Sequence, residues 1–181
     1  FQKILDDKLT NKPVTIYYKL GQIYFEGKRF KDSINEFLRV REINPHSESI
    51  SLYLSVCYEE LNEYDKAIAE LTPLLDEHSE AWHIRLSLSN IYEKTKNFEL
   101  TQLEREKVSE ILMKNVRNGS TDIREYIVLS QLLHQTGRKT EAIDNLKTGL
   151  TYLHNKIDAE SLQEIQFLMA NLYYEMDNHE G

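Results

Sequence analysis

Six histidines (His46, His78, His83, His134, His154 and His179), one cysteine (Cys57) and adjacent acid pairs such as Glu59-Glu60 are the side chains of this 181-residue chain with types suited to chemistry. Two histidines at i and i+4 of one helix would aim both imidazoles at one metal ion, and no pair here has that spacing. A thiol nucleophile needs a base or a positive field to ionise it. Cys57 sits between Val56 and Tyr58 with no histidine close in sequence, and reads as an inert core thiol. The carboxylate pairs lie among 30 acidic residues and read as solvated surface. No glycine-rich phosphate cradle, nucleophile elbow or dinucleotide fingerprint is present. The expectation is a non-enzymatic protein with no catalytic residue, no cofactor and no metal site.

Composition narrows the class further. Hydrophobic residues make up 40% and charged residues 29%, a normal folded balance, and six Gly with three Pro are too few to punctuate a hairpin-rich β fold. An all-helical protein follows. With 22 basic against 30 acidic residues the net charge is −8, which opposes the clustered Lys and Arg that a phosphate backbone requires, so nucleic acid is not expected as a partner. No apolar run approaches the ~18–20 residues that span a bilayer, and the start, FQKILDDKLTNKP, lacks the order of a signal peptide. Direct membrane insertion is not expected.

Small residues then set a rhythm. LGQIY (20–24), LSVCY (54–58), LSNIY (88–92), LSQLL (129–133) and MANLY (169–173) recur, with Gly21, Ser55, Ser89, Ser130 and Ala170 spaced by 34, 34, 41 and 40 residues. Twelve residues after the first four stand Ser33, Ala67, Thr101 and Ala142, and nine after the first three stand the rings Phe30, Tyr64 and Phe98. This is the pattern of a helical hairpin: a small residue on each helix lets the backbones cross closely, and the ring wedges the turn. Gly21, which costs on the order of 1 kcal/mol in a helix relative to alanine, is tolerated for that close approach.

These units resemble tetratricopeptide repeats. The best match is YYKLGQIYFEGKRFKDSINEFLRVREINP (17–45), through Leu20, Gly21, Tyr24, Phe30, Ser33, Phe37, Val40 and Pro45; the second unit follows through Leu54, Ser55, Tyr58, Tyr64, Ala67, Leu71 and Leu74, with Ser79 in place of the proline. The third departs at Arg105, where a large apolar residue is usual, and the fourth has Lys139 at the ring position and Gly149 at a small apolar one. The resemblance implies an all-α, right-handed α-α superhelix, a solenoid of about four and a half hairpins. Its divisions fall at 14–47, 48–81, 82–122 and 123–162, the last two carrying insertions. Residues 1–13 read as the tail of a preceding repeat with a linker, and 163–181 as the first helix of a fifth. KNVRNGSTD (114–122), with its Asn118-Gly119 turn, reads as a loop. The whole is expected to be a fragment of a longer array.

In that family the first helices line a concave groove that binds peptides. The inward positions place Tyr18, Gln22 and Phe25 there, with Leu52, Tyr53 and Val56, Leu86 and Asn90, Ile127 and Gln131, and Phe167, Asn171 and Tyr174. Aromatic and aliphatic side chains at these positions act as anchors, and the amides Gln22, Asn90, Gln131 and Asn171 form a row able to hold peptide backbone. The positions that form a basic clamp for acidic chaperone tails in some members carry Tyr18, Gln22, Tyr53, His83 and Ser87, so that ligand class is not expected. Inward glutamates Glu26, Glu59, Glu60, Glu93 and Glu175 outnumber Lys19 and Lys94, which favours an apolar or amphipathic, non-acidic peptide segment of a protein partner. Two other roles fit the same pattern: a scaffold that forms a homo-oligomer through apolar faces or open solenoid ends, and a regulatory segment of a larger enzyme.

Overall fold

The computed structural model describes the backbone of residues 2–153 and 156–177 and the side chains of 13–153 and 156–177. His154, His179 and residues 178–181 lie outside the described residues. Within them the chain forms α1 (Gln2–Glu26), α2 (Phe30–Ile43), α3 (Glu48–Glu60), α4 (Tyr64–Glu77), α5 (Trp82–Lys94), α6 (Phe98–Arg117), α7 (Ile123–Gln135), α8 (Lys139–Leu153) and α9 (Ala159–Asp177). No strand occurs among the described residues, and the fold is an all-α helical repeat. Two compact units divide it, residues 1–98 and 99–181. In the first, each of α1 to α5 packs on its neighbour in sequence; in the second, α8 packs on both α7 and α9, and α7 also touches α9.

The hairpin crossings explain the small residues, with an exchange of volume the sequence alone does not display. A Cβ added to Gly21 would lie 2.6 Å from Cε1 of Phe37, a contact no real side chain makes. Glycine on α1 thus makes room for a phenyl ring on α2 that is wholly buried. In the second hairpin the same two positions hold Ser55 and Leu71, both buried, a larger residue on the first helix and a smaller one on the second. Hydroxyls tie the crossings: Ser33 Oγ donates to the Gly21 carbonyl at 2.9 Å, and in α7 Ser130 Oγ donates to the Ala142 carbonyl at 3.0 Å. Such buried bonds keep the hydroxyls satisfied where no water reaches. The fourth hairpin runs a second exchange in reverse, because a Cβ on Gly149 of α8 would lie 2.8 Å from Cγ of the buried Tyr126 of α7.

The turns share one geometry. Lys28, Asn62, Lys96 and Gly137, each seven residues after the small residue, all have positive φ (57°, 60°, 60° and 77°). Around each, the next amide reaches back five residues: Arg29 N to Tyr24 O, Glu63 N to Tyr58 O and Asn97 N to Tyr92 O at 2.8 Å, and Arg138 N to Leu133 O at 2.9 Å. These bonds satisfy the last carbonyls of the first helix and stop it. The first three turns place non-glycine residues in a conformation that costs them roughly 1 kcal/mol or more.

Several expectations need correcting. No linker separates residues 1–13 from the first unit: α1 runs unbroken from Gln2 with Pro13 inside it. The insertion of the third unit lengthens a helix, since α6 has 20 residues against 14 in α2 and α4. Residues 114–117 are accordingly helical, and the loop is confined to 118–122, where Gly119 (φ 78°) turns the chain and Asp122 caps α7 by accepting from Arg124 N at 3.0 Å. Arg105 is half-buried, and the buried stripe of α6 is Thr101, Glu104, Val108 and Leu112. Phe98 is exposed, so it wedges no turn; Phe30 and Tyr64 pack against the cores of their hairpins.

Gly21→Ala should destabilise the protein by about 1–3 kcal/mol despite alanine's better helix propensity, because Phe37 is hemmed in and cannot yield. Combining it with Phe37→Leu should cost less than the two singles summed, a coupling readable by denaturant titration of the four proteins. Lys96→Gly should add up to about 1 kcal/mol by relieving the left-handed lysine, which thermal unfolding would register as a rise of roughly 2–4 °C.

Candidate peptide-binding groove

In the first unit the inward positions of α1 do not stand free. Tyr53 of α3 stacks on Phe37 with ring centroids 4.7 Å apart, and Tyr18 and Phe25 of α1 meet Tyr53 edge-on at 6.0 and 5.3 Å. Phe25 also meets Phe30 edge-on at 6.0 Å, and all of them pack on the cluster formed by Ile34, Phe37, Val40, Ile50, Leu54 and Cys57. Burial, with Tyr53 second, pushes the Tyr18 phenol above its ordinary pKa. Tyr18, Phe25 and Tyr53 are therefore mortar between neighbouring first helices rather than free anchors, each edge-on pair worth roughly 0.5–1.5 kcal/mol beyond area burial. Cys57 donates to Ser33 Oγ at 3.5 Å, and burial pushes its thiol up, as an inert core cysteine requires.

The amide row is partly engaged in the same way. Gln22 Nε2 donates to the Tyr53 hydroxyl at 3.0 Å, and Gln131 Nε2 of α7 donates to Glu164 of α9 at 3.1 Å. Each joins one first helix to the next. Asn90 and Asn171 are exposed. Among the apolar positions, Leu52 and Leu86 are half-buried, Leu52 against the Ala67, Leu71, Ile84, Leu88 and Ile91 cluster. Ile127 lies in the core and lines no surface, since it turns toward the interior of the second unit. Val56 is 38% exposed, Phe167 69% and Tyr174 72%.

Charges on the inward positions also pair between first helices. Lys94 of α5 reaches Glu59 of α3 at 2.7 Å, which holds α3 and α5 side by side and raises the lysine's pKa. In the second unit Glu175 Oε2 of α9 receives Lys139 Nζ of α8 at 2.9 Å and His134 Nε2 of α7 at 2.9 Å. Lys139 occupies the position where a ring was usual, and it secures α9 by charge instead of by wedging. Lys139 first, and His134 next, lower the Glu175 pKa to about 2. Bridges that the sequence did not disclose complete the frame: Arg41 of α2 holds Glu70 of α4 with both terminal guanidinium nitrogens, one bond at 2.9 Å, and reaches Ser51 of α3. Two features could have flagged them, an arginine near the end of a second helix and a lysine replacing a ring.

No group of three or more His, Cys, Asp or Glu side chains among the described residues could hold a metal ion, and no helix among them is long and apolar enough to cross a membrane. Among the apolar and amide inward positions, Val56 of α3 and Asn90 of α5 are exposed and Leu52 and Leu86 of the same two helices are half-buried, forming the candidate strip of the first unit, while Phe167, Asn171 and Tyr174 of α9 are exposed in the second.

Comparison with known proteins agrees with the repeat geometry. A family model for the tetratricopeptide repeat matches residues 18–71. Over 59 residues the chain is 34% identical to anaphase-promoting complex subunit 3 of Dictyostelium discoideum, a match that takes in 33% of this chain and only 6% of that protein's length. A solved structure of a thermophilic TPR protein in Thermus thermophilus superposes with a TM-score of 0.62 at 18% identity, covering 90% of this chain and 82% of that one. MamA MSR-1 superposes with a TM-score of 0.53 at 18% identity, covering 92% and 88%. At such identities the two solved structures speak for the fold.

Glu175→Gln should flatten part of the acid limb of stability. A carboxylate whose folded pKa is depressed contributes stability that is present above its unfolded pKa and lost as pH falls toward the folded value, so the wild type should lose this contribution between about pH 5 and 2. Thermal unfolding of both proteins across that window reads the difference.

Proposed function

We infer that this chain, a tetratricopeptide repeat protein, is a non-catalytic protein-interaction module whose first unit holds an apolar or amphipathic, non-acidic peptide segment on the strip of α3 and α5. The observation that carries this reading is Val56, an aliphatic side chain left 38% exposed at an inward position while its neighbours on α1 are packed away. Half-buried Leu52 and Leu86 extend the apolar strip, and exposed Asn90 supplies both a donor and an acceptor for peptide backbone. Exposed Glu60 stands one turn beyond Val56 on α3, where it would repel an acidic ligand and attract a basic one. Tyr18, Gln22, Phe25 and Tyr53 serve the ligand indirectly, by fixing α1 against α3.

The same reading divides the chain into repeats at residues 14–47, 48–81, 82–122 and 123–162. Helices that start at Glu48, Trp82 and Ile123 support those three boundaries.

Val56→Arg should leave the helical content and unfolding midpoint nearly unchanged, since the side chain is already part-exposed. Affinity capture from a lysate of the source cells should then retain at least one protein about tenfold less than the wild type retains it. Equal retention of every protein would remove the strip on α3 and α5 as the binding surface.

A further inference from the structure

Asn118 is followed by glycine, and no other asparagine of the chain is. An asparagine carries its side-chain carbonyl carbon within reach of the next residue's amide nitrogen, and a five-membered ring closes when that nitrogen is unhindered. A side chain on the next residue crowds the nitrogen and restricts its backbone, and glycine does neither. The structure sets this pair outside regular helix. α6 ends at Arg117, Asn118 and Gly119 are both exposed, Gly119 has a φ of 78°, and a Cβ built on it would meet nothing within 4 Å. Space beside Gly119 is open, so ring closure meets no steric barrier there.

One contact opposes the closure: Gly119 N donates to Val116 O at 3.0 Å. The bond lies in an exposed turn where water replaces it on opening, and such a bond holds back the reactive form by a factor of about ten at most. Asparagines inside helices are held far more firmly. Asn90 of α5 and Asn145 of α8 are followed by Ile91 and Leu146, both buried, with their amides inside the helical ladder.

We propose that Asn118 is a site of self-modification, at which the chain converts asparagine to a mixture of aspartate and isoaspartate with water as the co-reactant. The Gly119 nitrogen gives up its proton to hydroxide and attacks Cγ of Asn118. A bond forms between that nitrogen and Cγ while the Cγ–Nδ2 bond breaks, and Nδ2 takes a proton and leaves as ammonia. Water then opens the succinimide at either carbonyl. Opening at Cγ leaves aspartate with the ordinary backbone, and opening at the main-chain carbonyl leaves isoaspartate, whose backbone runs through Cβ and Cγ. Nothing is oxidised or reduced.

Either product acts on the second unit. A carboxylate just beyond Arg117 stands at the negative end of the α6 dipole. Isoaspartate also lengthens the main chain inside a turn where Ser120 N donates to Asn115 O at 3.0 Å, Asp122 N donates to Ser120 Oγ at 3.2 Å, and the Tyr126 hydroxyl donates to Ser120 O at 3.1 Å. Those bonds lead the chain from α6 into α7, so the modified turn holds α7 less firmly. The chemistry at Asn118 does not involve the strip on α3 and α5, and it stands whether or not that strip binds a peptide.

The test is incubation of the full chain at neutral and mildly alkaline pH, followed by peptide mapping that separates aspartate from isoaspartate. Residue 118 should gain acid in both forms, faster as pH rises, and at least about tenfold faster than Asn90 or Asn145. Gly119→Ala, which puts a methyl group beside the attacking nitrogen, should slow the gain by about tenfold. Asn118→Gln, whose longer side chain must close a larger ring, should gain little over the same period. Asn118→Asp carries the charge on an ordinary backbone and should unfold roughly 1–3 °C below the wild type, with aged, isoaspartate-rich protein unfolding lower still. An Asn118 that keeps its amide overturns the proposal, as does one that gains acid no faster than Asn90 and Asn145, or a Gly119→Ala protein that reacts at the wild-type rate. Aged protein that unfolds together with Asn118→Asp overturns the loosening of the turn.

Discussion

An exchange of volume across the hairpin crossing governs how this chain packs. Two helices that cross closely have a fixed space between them, and what one side chain takes the other must surrender. In the first hairpin Gly21 surrenders everything and Phe37 takes it; in the fourth, Gly149 yields to Tyr126 from the other helix. Because Phe37 stands so far forward, its ring is within stacking distance of Tyr53 on the next hairpin. The crossing therefore does more than close one hairpin: it sets the aromatic surface on which the second one is laid.

From that surface follows the division of labour among the inward positions. A helical repeat buries its hydrophobic face only by stacking, since no single hairpin can cover its own. The chain commits aromatics, amides and ion pairs to that stacking, with Gln22 on Tyr53, Lys94 on Glu59 and Lys139 on Glu175. What stays open on the inward side of the first unit is correspondingly small, and the proposed binding rests on Val56 of α3 rather than on the conspicuous ring cluster beside it.

Helical class, the recurrence of the hairpins and the residues at which the first and fourth of them cross were legible from the amino acids. Those features are local or periodic, written in the spacing of Gly21, Ser55, Ser89 and Ser130 and of the small residues twelve positions later. Cys57 was legible as a packed thiol for the same reason, because a buried position in a periodic helix needs no knowledge of distant partners. The left-handed turns at Lys28 and Lys96 were not, since no glycine announces them and the backbone bonds on either side hold the conformation against the residue's preference. Nor could the sequence say which of two flanks each inward residue shows; that was settled by packing. Tyr18 and Phe167 hold the same place in their helices, yet one is locked against Tyr53 and the other faces solvent. Periodicity assigns a side chain to a direction around its own helix, but whether that direction meets water or a neighbour depends on residues more than thirty positions away.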